Sequence, residues 1–191
     1  MEKEKFFTGK IFLFILVVFV FSAFYGYLNG EKFYFLLKTL KEIFGEEVLK
    51  LNPFLLFALI FSNNAFKSFI IIPLGVVLAI PPLLFILFNG FLVGLVAYDA
   101  VARMGLNGVL YFFAAILPHG VFELPAVFLS ASLGVRVGLA VIRRLKGMDN
   151  VSLEIKNCFK IYLFKVLPLL LIGAIVEAYI TPIIVNHIFK V

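Results

Sequence analysis

Ile11-Phe12-Leu13-Phe14-Ile15-Leu16-Val17-Val18-Phe19-Val20-Phe21-Ser22-Ala23-Phe24-Tyr25-Gly26-Tyr27-Leu28 is a run of about 18 residues with no charge in it. A helix rising about 1.5 Å per residue needs roughly 20 apolar residues to cross the ~30 Å hydrocarbon layer of a bilayer. The run has that length. The mixed-charge stub Met1-Glu2-Lys3-Glu4-Lys5 precedes it. A cleaved signal peptide ends in small residues, and Ser22-Ala23-Phe24 is a poor cleavage site, so the run reads as a retained first span.

The whole chain agrees. Of 191 residues, 63% are hydrophobic and only 15% are Asp, Glu, Lys or Arg; mean hydropathy is +1.13. A soluble domain carries about 25% charge. So few charges cannot cover a compact apolar interior with a wettable surface, which excludes an ordinary cytosolic domain and a disordered chain. The net charge of +6 raises the question of nucleic acid. The basic residues fall near the ends of apolar runs, where lipid headgroups explain them better. A nucleic-acid partner is therefore not expected. The single cysteine, Cys158, excludes an internal disulfide and a cysteine metal cluster.

Outward from the first span, residues 31–50 carry a helical stripe of Phe33, Leu36/Leu37, Leu40, Phe44 and Val48 among many charges. This predicts an amphipathic segment, broken near Gly45, lying on the membrane or packed against the spans. Asn52-Pro53 is a helix start. Span two, 54–80, is too long for a simple crossing. Its polar middle (Ser62, Asn63, Asn64, Lys67, Ser68) and Pro73 predict a tilt or a break. Pro81-Pro82 predicts a turn before span three, 83–101. Span four, 109–133, holds Pro118, His119, Gly120, Glu123 and Pro125 and reads as interrupted. Residues 134–165 form a basic stretch, and span five is 166–185. The expected fold is all-α: one integral membrane domain, a bundle of about five spans.

Five spans put the two ends on opposite sides. With the N-terminus inside, the inner segments hold Lys3, Lys5, Lys10 and the seven basic residues from Arg136 to Lys165. The outer segments hold six: Lys32, Lys38, Lys41, Lys50, Arg103 and Lys190. The positive-inside rule then predicts a multi-pass protein of the cytoplasmic membrane, N-terminus cytoplasmic and C-terminus external.

A charge or amide at membrane depth is costly unless paired or hydrated, so each one needs a reason. His119 and Glu123 are four apart and share a helix face, at a spacing that suits metal ligation and proton relay alike. Glu177 sits mid-span in Gly173-Ala174-Ile175-Val176-Glu177-Ala178-Tyr179, among small residues that let helices approach. His119, Glu123 and Glu177 together would suit Zn or another divalent ion. They equally suit a structural hydrogen-bond cluster or an ion path. Asn63, Asn64 and Asn89 read as helix glue or cavity lining. Arg136 either snorkels to headgroups or turns inward to Glu123 or Glu177. Asp99 and Arg103 form an i,i+4 pair. Gly26-x-x-x-Gly30, Gly90-x-x-x-Gly94 and Gly134-x-x-x-Gly138 are close-packing signals, for internal packing or for a homodimer. His187 reads as a surface residue. No Gly-x-Ser-x-Gly, Walker loop, His-Glu-x-x-His or Cys-x-x-Cys occurs.

Asn63-Asn64, Asn89-Gly90-x-x-x-Gly94, Pro118-His119-Gly120-Val121-Phe122-Glu123-Leu124-Pro125-Ala126, Gly134-Val135-Arg136-Val137-Gly138 and Glu177-Ala178-Tyr179-x-Thr181-Pro182 occur in that order. In order and spacing, from about residue 50 to 185, they resemble the stage II sporulation protein M family. The resemblance implies a polytopic protein of about five spans. In spore-forming bacteria the family's namesake acts in engulfment, as a membrane platform that recruits a peptidoglycan amidase and a lytic enzyme. The family also occurs where no spore is made, so that role does not carry over by default. A shared site at Asn63, Asn64, Asn89, His119, Glu123, Arg136 and Glu177 is implied. Three functions stand open: a non-enzymatic scaffold or assembly factor with membrane or cell-envelope protein partners; a small transporter or channel; and an intramembrane metal-dependent enzyme using His119, Glu123 and Glu177.

Overall fold

The computed structural model describes residues 2–49, 51–145, 147 and 150–189, with the side chains of 2–8, 41 and 43–49 outside the description. Helix α1 is Glu2–Leu28, α2 Tyr34–Leu49, α3 Pro53–Leu74, α4 Ile80–Met104 and α5 Leu106–Leu145. A last helical rod, α6, runs Val151–Phe189. No strand occurs among the described residues. Five of these helices are long and apolar enough to cross a membrane: α1 from Gly9, α3, α4, α5 and α6.

The centre of the bundle is α5. In its most apolar membrane-length window 67% of the residues are buried, against 28% or less in the other four helices. The other spans pack around it, with their outward faces left apolar for lipid: Phe14, Phe21, Phe66, Leu84 and Phe164 are all exposed. One core cluster joins α1, α4 and α5 through Ile15, Phe19, Ile86, Phe128 and Ala131. A second joins α3, α5 and α6 through Ile72, Leu133, Val137, Cys158, Val166 and Leu170.

The glycine signals act inside the chain. A Cβ on Gly26 would strike the Phe91 carbonyl oxygen, one on Gly94 that of Ala23, and one on Gly90 that of Phe19. These positions let α1 and α4 touch backbone to backbone. Gly134 does the same for α5, against the Ile71 carbonyl and the Pro82 ring, and Gly138 against Ala79. The hydroxyl of Ser22 adds a hydrogen bond to the Leu87 carbonyl across the α1–α4 seam. Such bonds between spans contribute about 1 kcal/mol.

Five sequence expectations change. Span two is not broken at Asn63 or Pro73: α3 starts under an Asn52 cap, runs through Pro73 and stops at Leu74. The surplus length is a turn, Gly75–Ala79, whose Leu78 and Ala79 take positive φ of 50° and 65°. Pro81 and Pro82 then begin α4 instead of preceding it, because a first-turn proline has no bond to lose. Span four is not interrupted. The 40-residue α5 passes through Pro118, Gly120 and Pro125. Two missing amide donors do not end a helix whose later part, from Ala126 to Ala140, is largely buried core. The stretch 134–165 is not a segment of its own. Its first part, Gly134–Gly138, is buried α5 core, and its last part is the start of α6. Finally, α2 is one helix through Gly45.

The described half of the amphipathic stripe packs as expected. Leu37 is buried, and Phe33 meets Phe91 of α4 edge to face. Phe44, Val48 and the charges Lys41, Glu46 and Glu47 lie outside the described side chains. Lys3, Lys5, Lys50, Lys146, Asp149 and Lys190 also lie outside the described residues or side chains.

Candidate functional site

Two features of α6 prepare the site. Pro168 and Pro182 cannot donate to the carbonyl four residues back, and before each the helix widens into a π turn: Tyr162–Val166 and Val176–Ile180. The second π turn carries Glu177. At its end the Thr181 amide and the Thr181 hydroxyl both reach the Val176 carbonyl, the hydroxyl donating at 3.2 Å. Gly173, Glu177 and Thr181 recur every four residues, so they line one face of the rod.

That face meets His119 and Glu123 of α5. One ligand atom each from His119, Glu123 and Glu177 lies within 4.8 Å of the others, and all three residues are half-buried. Gly173 makes room for the Glu123 side chain: a Cβ there would collide with Glu123 Cγ and stand 3.1 Å from Oε1. Glu123 Oε1 is shut off from solvent and accepts no hydrogen bond among the described residues. From α3, the Asn64 side chain comes within hydrogen-bonding range of the same carboxyl group. The Thr181 oxygen stands 3.5 Å from His119 Nδ1, the outer limit of a hydrogen bond. The cluster therefore ties three spans together.

The other expected members are elsewhere. Asn63 is exposed on α3, one position round the helix from Asn64. The Asn89 amide donates to the Phe85 carbonyl of its own helix at 2.7 Å. Arg136 neither snorkels nor reaches Glu123 or Glu177. Its Nε and Nη2 donate to Glu154 Oε1 of α6 at 2.8 and 2.7 Å. The continuity of α5 is the reason. Arg136 lies 13 residues beyond Glu123 on one unbroken helix, a separation of about 20 Å. The pair is well enclosed, with side-chain exposures of 10% and 14%. Cys158 Sγ packs beside it, 3.8 Å from Glu154 Oε1. The Asp99–Arg103 pair forms as its spacing predicts, at 2.8 Å, and Arg103 also donates to the Tyr34 hydroxyl of α2 at 3.3 Å.

Sequence reasoning did not single out Thr181, Gly173 or Glu154. The first two were legible as the i, i+4, i+8 stripe through Glu177. Glu154 was not, because its partner is set by how α5 and α6 align.

With this geometry in view, comparison with known proteins is informative. The family model of stage II sporulation protein M matches residues 10–182. The chain belongs to the stage II sporulation protein M family. A relative from Methanocaldococcus jannaschii, Uncharacterized protein MJ0793, is 30% identical over 136 residues, which cover 69% of this chain and 74% of that protein. No solved structure matches the chain. The stage II sporulation protein M match takes in all four residues that converge here, Asn64, His119, Glu123 and Glu177, and the Arg136–Glu154 pair as well.

Proposed function

We propose that this membrane protein is a non-enzymatic scaffold or assembly factor, a fixed block of spans that holds other membrane or envelope proteins. The observation that supports it is the packing of α1, α3, α4 and α5. Gly26, Gly90, Gly94, Gly134 and Gly138 bring backbones into direct contact, and their places leave no room even for a methyl group. Close-packed spans of this kind resist sliding, which suits a platform better than a carrier that must rock. The family's namesake role supports the same reading. Because these glycines are used inside the chain, they no longer argue for a homodimer.

The platform has two working ends. One holds Lys10, the α5–α6 connection and the basic residues Arg143, Arg144, Lys156 and Lys160; the other holds α2. The excess of basic residues at the first end supports a cytoplasmic N-terminus and an external C-terminus.

Affinity purification of the full chain from native membranes tests the scaffold. The expected result is a reproducible set of membrane or envelope proteins, lost on the double reversal Lys156→Glu, Lys160→Glu of two exposed lysines. A set that survives this reversal and an equivalent one on α2, or no set at all, overturns the reading. Topology reporters on both termini test the orientation.

A further inference from the structure

The geometry points to a divalent transition-metal site, of Zn2+ type, formed by His119 and Glu123 of α5 and Glu177 of α6. It goes beyond the scaffold reading and does not depend on it.

Three observations carry it. The first is the donor set. One imidazole and two carboxylates, with one atom from each inside 4.8 Å, make a mixed nitrogen and oxygen site. Such sets bind Zn2+, while magnesium prefers oxygen donors in an octahedron and keeps much of its water. Zn2+ bonds of about 2.0–2.2 Å place neighbouring ligands roughly 3.3–3.6 Å apart. From 4.8 Å or less, the ligand atoms would have to approach one another by up to about 1.5 Å to meet that spacing.

The second is the orphaned acceptor. Glu123 Oε1 is buried and meets no donor among the described residues. Its carboxyl group lies close enough to that of Glu177 to interact with it, and among the described residues no lysine or arginine pairs with either. The pair further along the same two helices shows the contrast: Glu154 has Arg136. A buried like-charged pair is costly, and a divalent ion would neutralise both carboxylates and fill the empty coordination of Oε1 together.

The third is the support behind the histidine. The Thr181 hydroxyl gives its hydrogen to the Val176 carbonyl. Its oxygen is then left to accept, which at 3.5 Å from His119 Nδ1 favours the tautomer with the proton on that nitrogen. That tautomer leaves the Nε2 lone pair for a metal. Histidine ligands are generally held in this way by a partner on the second ring nitrogen. The carbonyl that anchors Thr181 belongs to the π turn carrying Glu177, so one local distortion of α6 sets both a ligand and the support of another.

The test is metal analysis of the full chain, purified in detergent without chelator and then titrated with Zn2+ while its unfolding temperature is followed. The expected result is about one Zn2+ per chain and a rise in unfolding temperature that Mg2+ does not reproduce. His119→Ala and Glu177→Gln should each lower the bound zinc at least tenfold and abolish the rise. Gly120→Ala is the control for folding, because its Cβ meets only ordinary contacts at 3.5 Å and beyond; it should keep both. Metal-free wild type with no zinc-dependent rise overturns the site, and so does zinc bound equally by wild type, His119→Ala and Glu177→Gln. If a variant elutes as aggregate, the wild-type stoichiometry and the zinc-dependent rise decide alone.

Discussion

The α5–α6 interface contains two polar constellations built on opposite principles. At one end Arg136 and Glu154 match charge for charge through two short bonds, almost out of solvent. Further along the same helices His119, Glu123 and Glu177 converge with two carboxyl groups, one imidazole and a carboxylate oxygen that bonds to nothing described. The first arrangement is complete, and the second has no lysine or arginine partner among the described residues. A finished ion pair holds helices in register. An unfinished set of donors, at membrane depth where polar groups are costly, is what the proposed zinc site would complete.

The contrast can be broken most severely at the finished pair. Arg136→Ala leaves the Glu154 carboxylate buried and alone, so unfolding in detergent should show a loss of about 3–5 kcal/mol. A loss under 1 kcal/mol would mean that the pair is hydrated and the contrast false. A smaller loss, about 1–3 kcal/mol, is expected from Gly134→Ala, where the new methyl must push into the Ile71 carbonyl and the Pro82 ring. The same assay ranks it against Arg136→Ala.

The cluster should respond in the other sense. Glu123→Gln in chelator-treated protein should change stability by less than about 1 kcal/mol, since no cationic partner is stranded. A loss as large as that of Arg136→Ala would show that the cluster is itself a structural pair. The finest test is Thr181→Val. It removes the support of His119 and the hydroxyl's bond to the Val176 carbonyl, which the Thr181 amide still serves, so zinc affinity should fall by about 10–100-fold while the metal-free protein melts within about 1 kcal/mol of wild type. Competition with a zinc chelator reads that shift directly.

Much of this comparison was legible before folding. His119 and Glu123 at i,i+4, and Glu177 in a small-residue run, already named the cluster. The Gly173, Glu177 and Thr181 stripe was available by the same spacing. Asp99 and Arg103 were readable too, because a local pair needs only helix periodicity. The rest was not. Prolines at 118 and 125 read as breaks, since proline removes a helical bond whatever surrounds it. Burial of the later part of α5, from Ala126 to Ala140, outweighed that local cost. The continuous helix then carried Arg136 about 20 Å away from Glu123 and changed its partner.

The sequence by itself determined the solvent, the number of spans, the family motifs and, as candidates, all four residues that meet in the cluster, Asn64, His119, Glu123 and Glu177. Those properties rest on composition and on spacing along one helix, which short-range geometry dictates. Only the tertiary structure decided that Arg136 joins Glu154, that Asn89 and Asn63 stand apart from the cluster, and that the glycine pairs close the bundle on itself. Those outcomes depend on which face of each helix meets which neighbour, and at what height. Helix periodicity says nothing about either until α5 is placed at the centre.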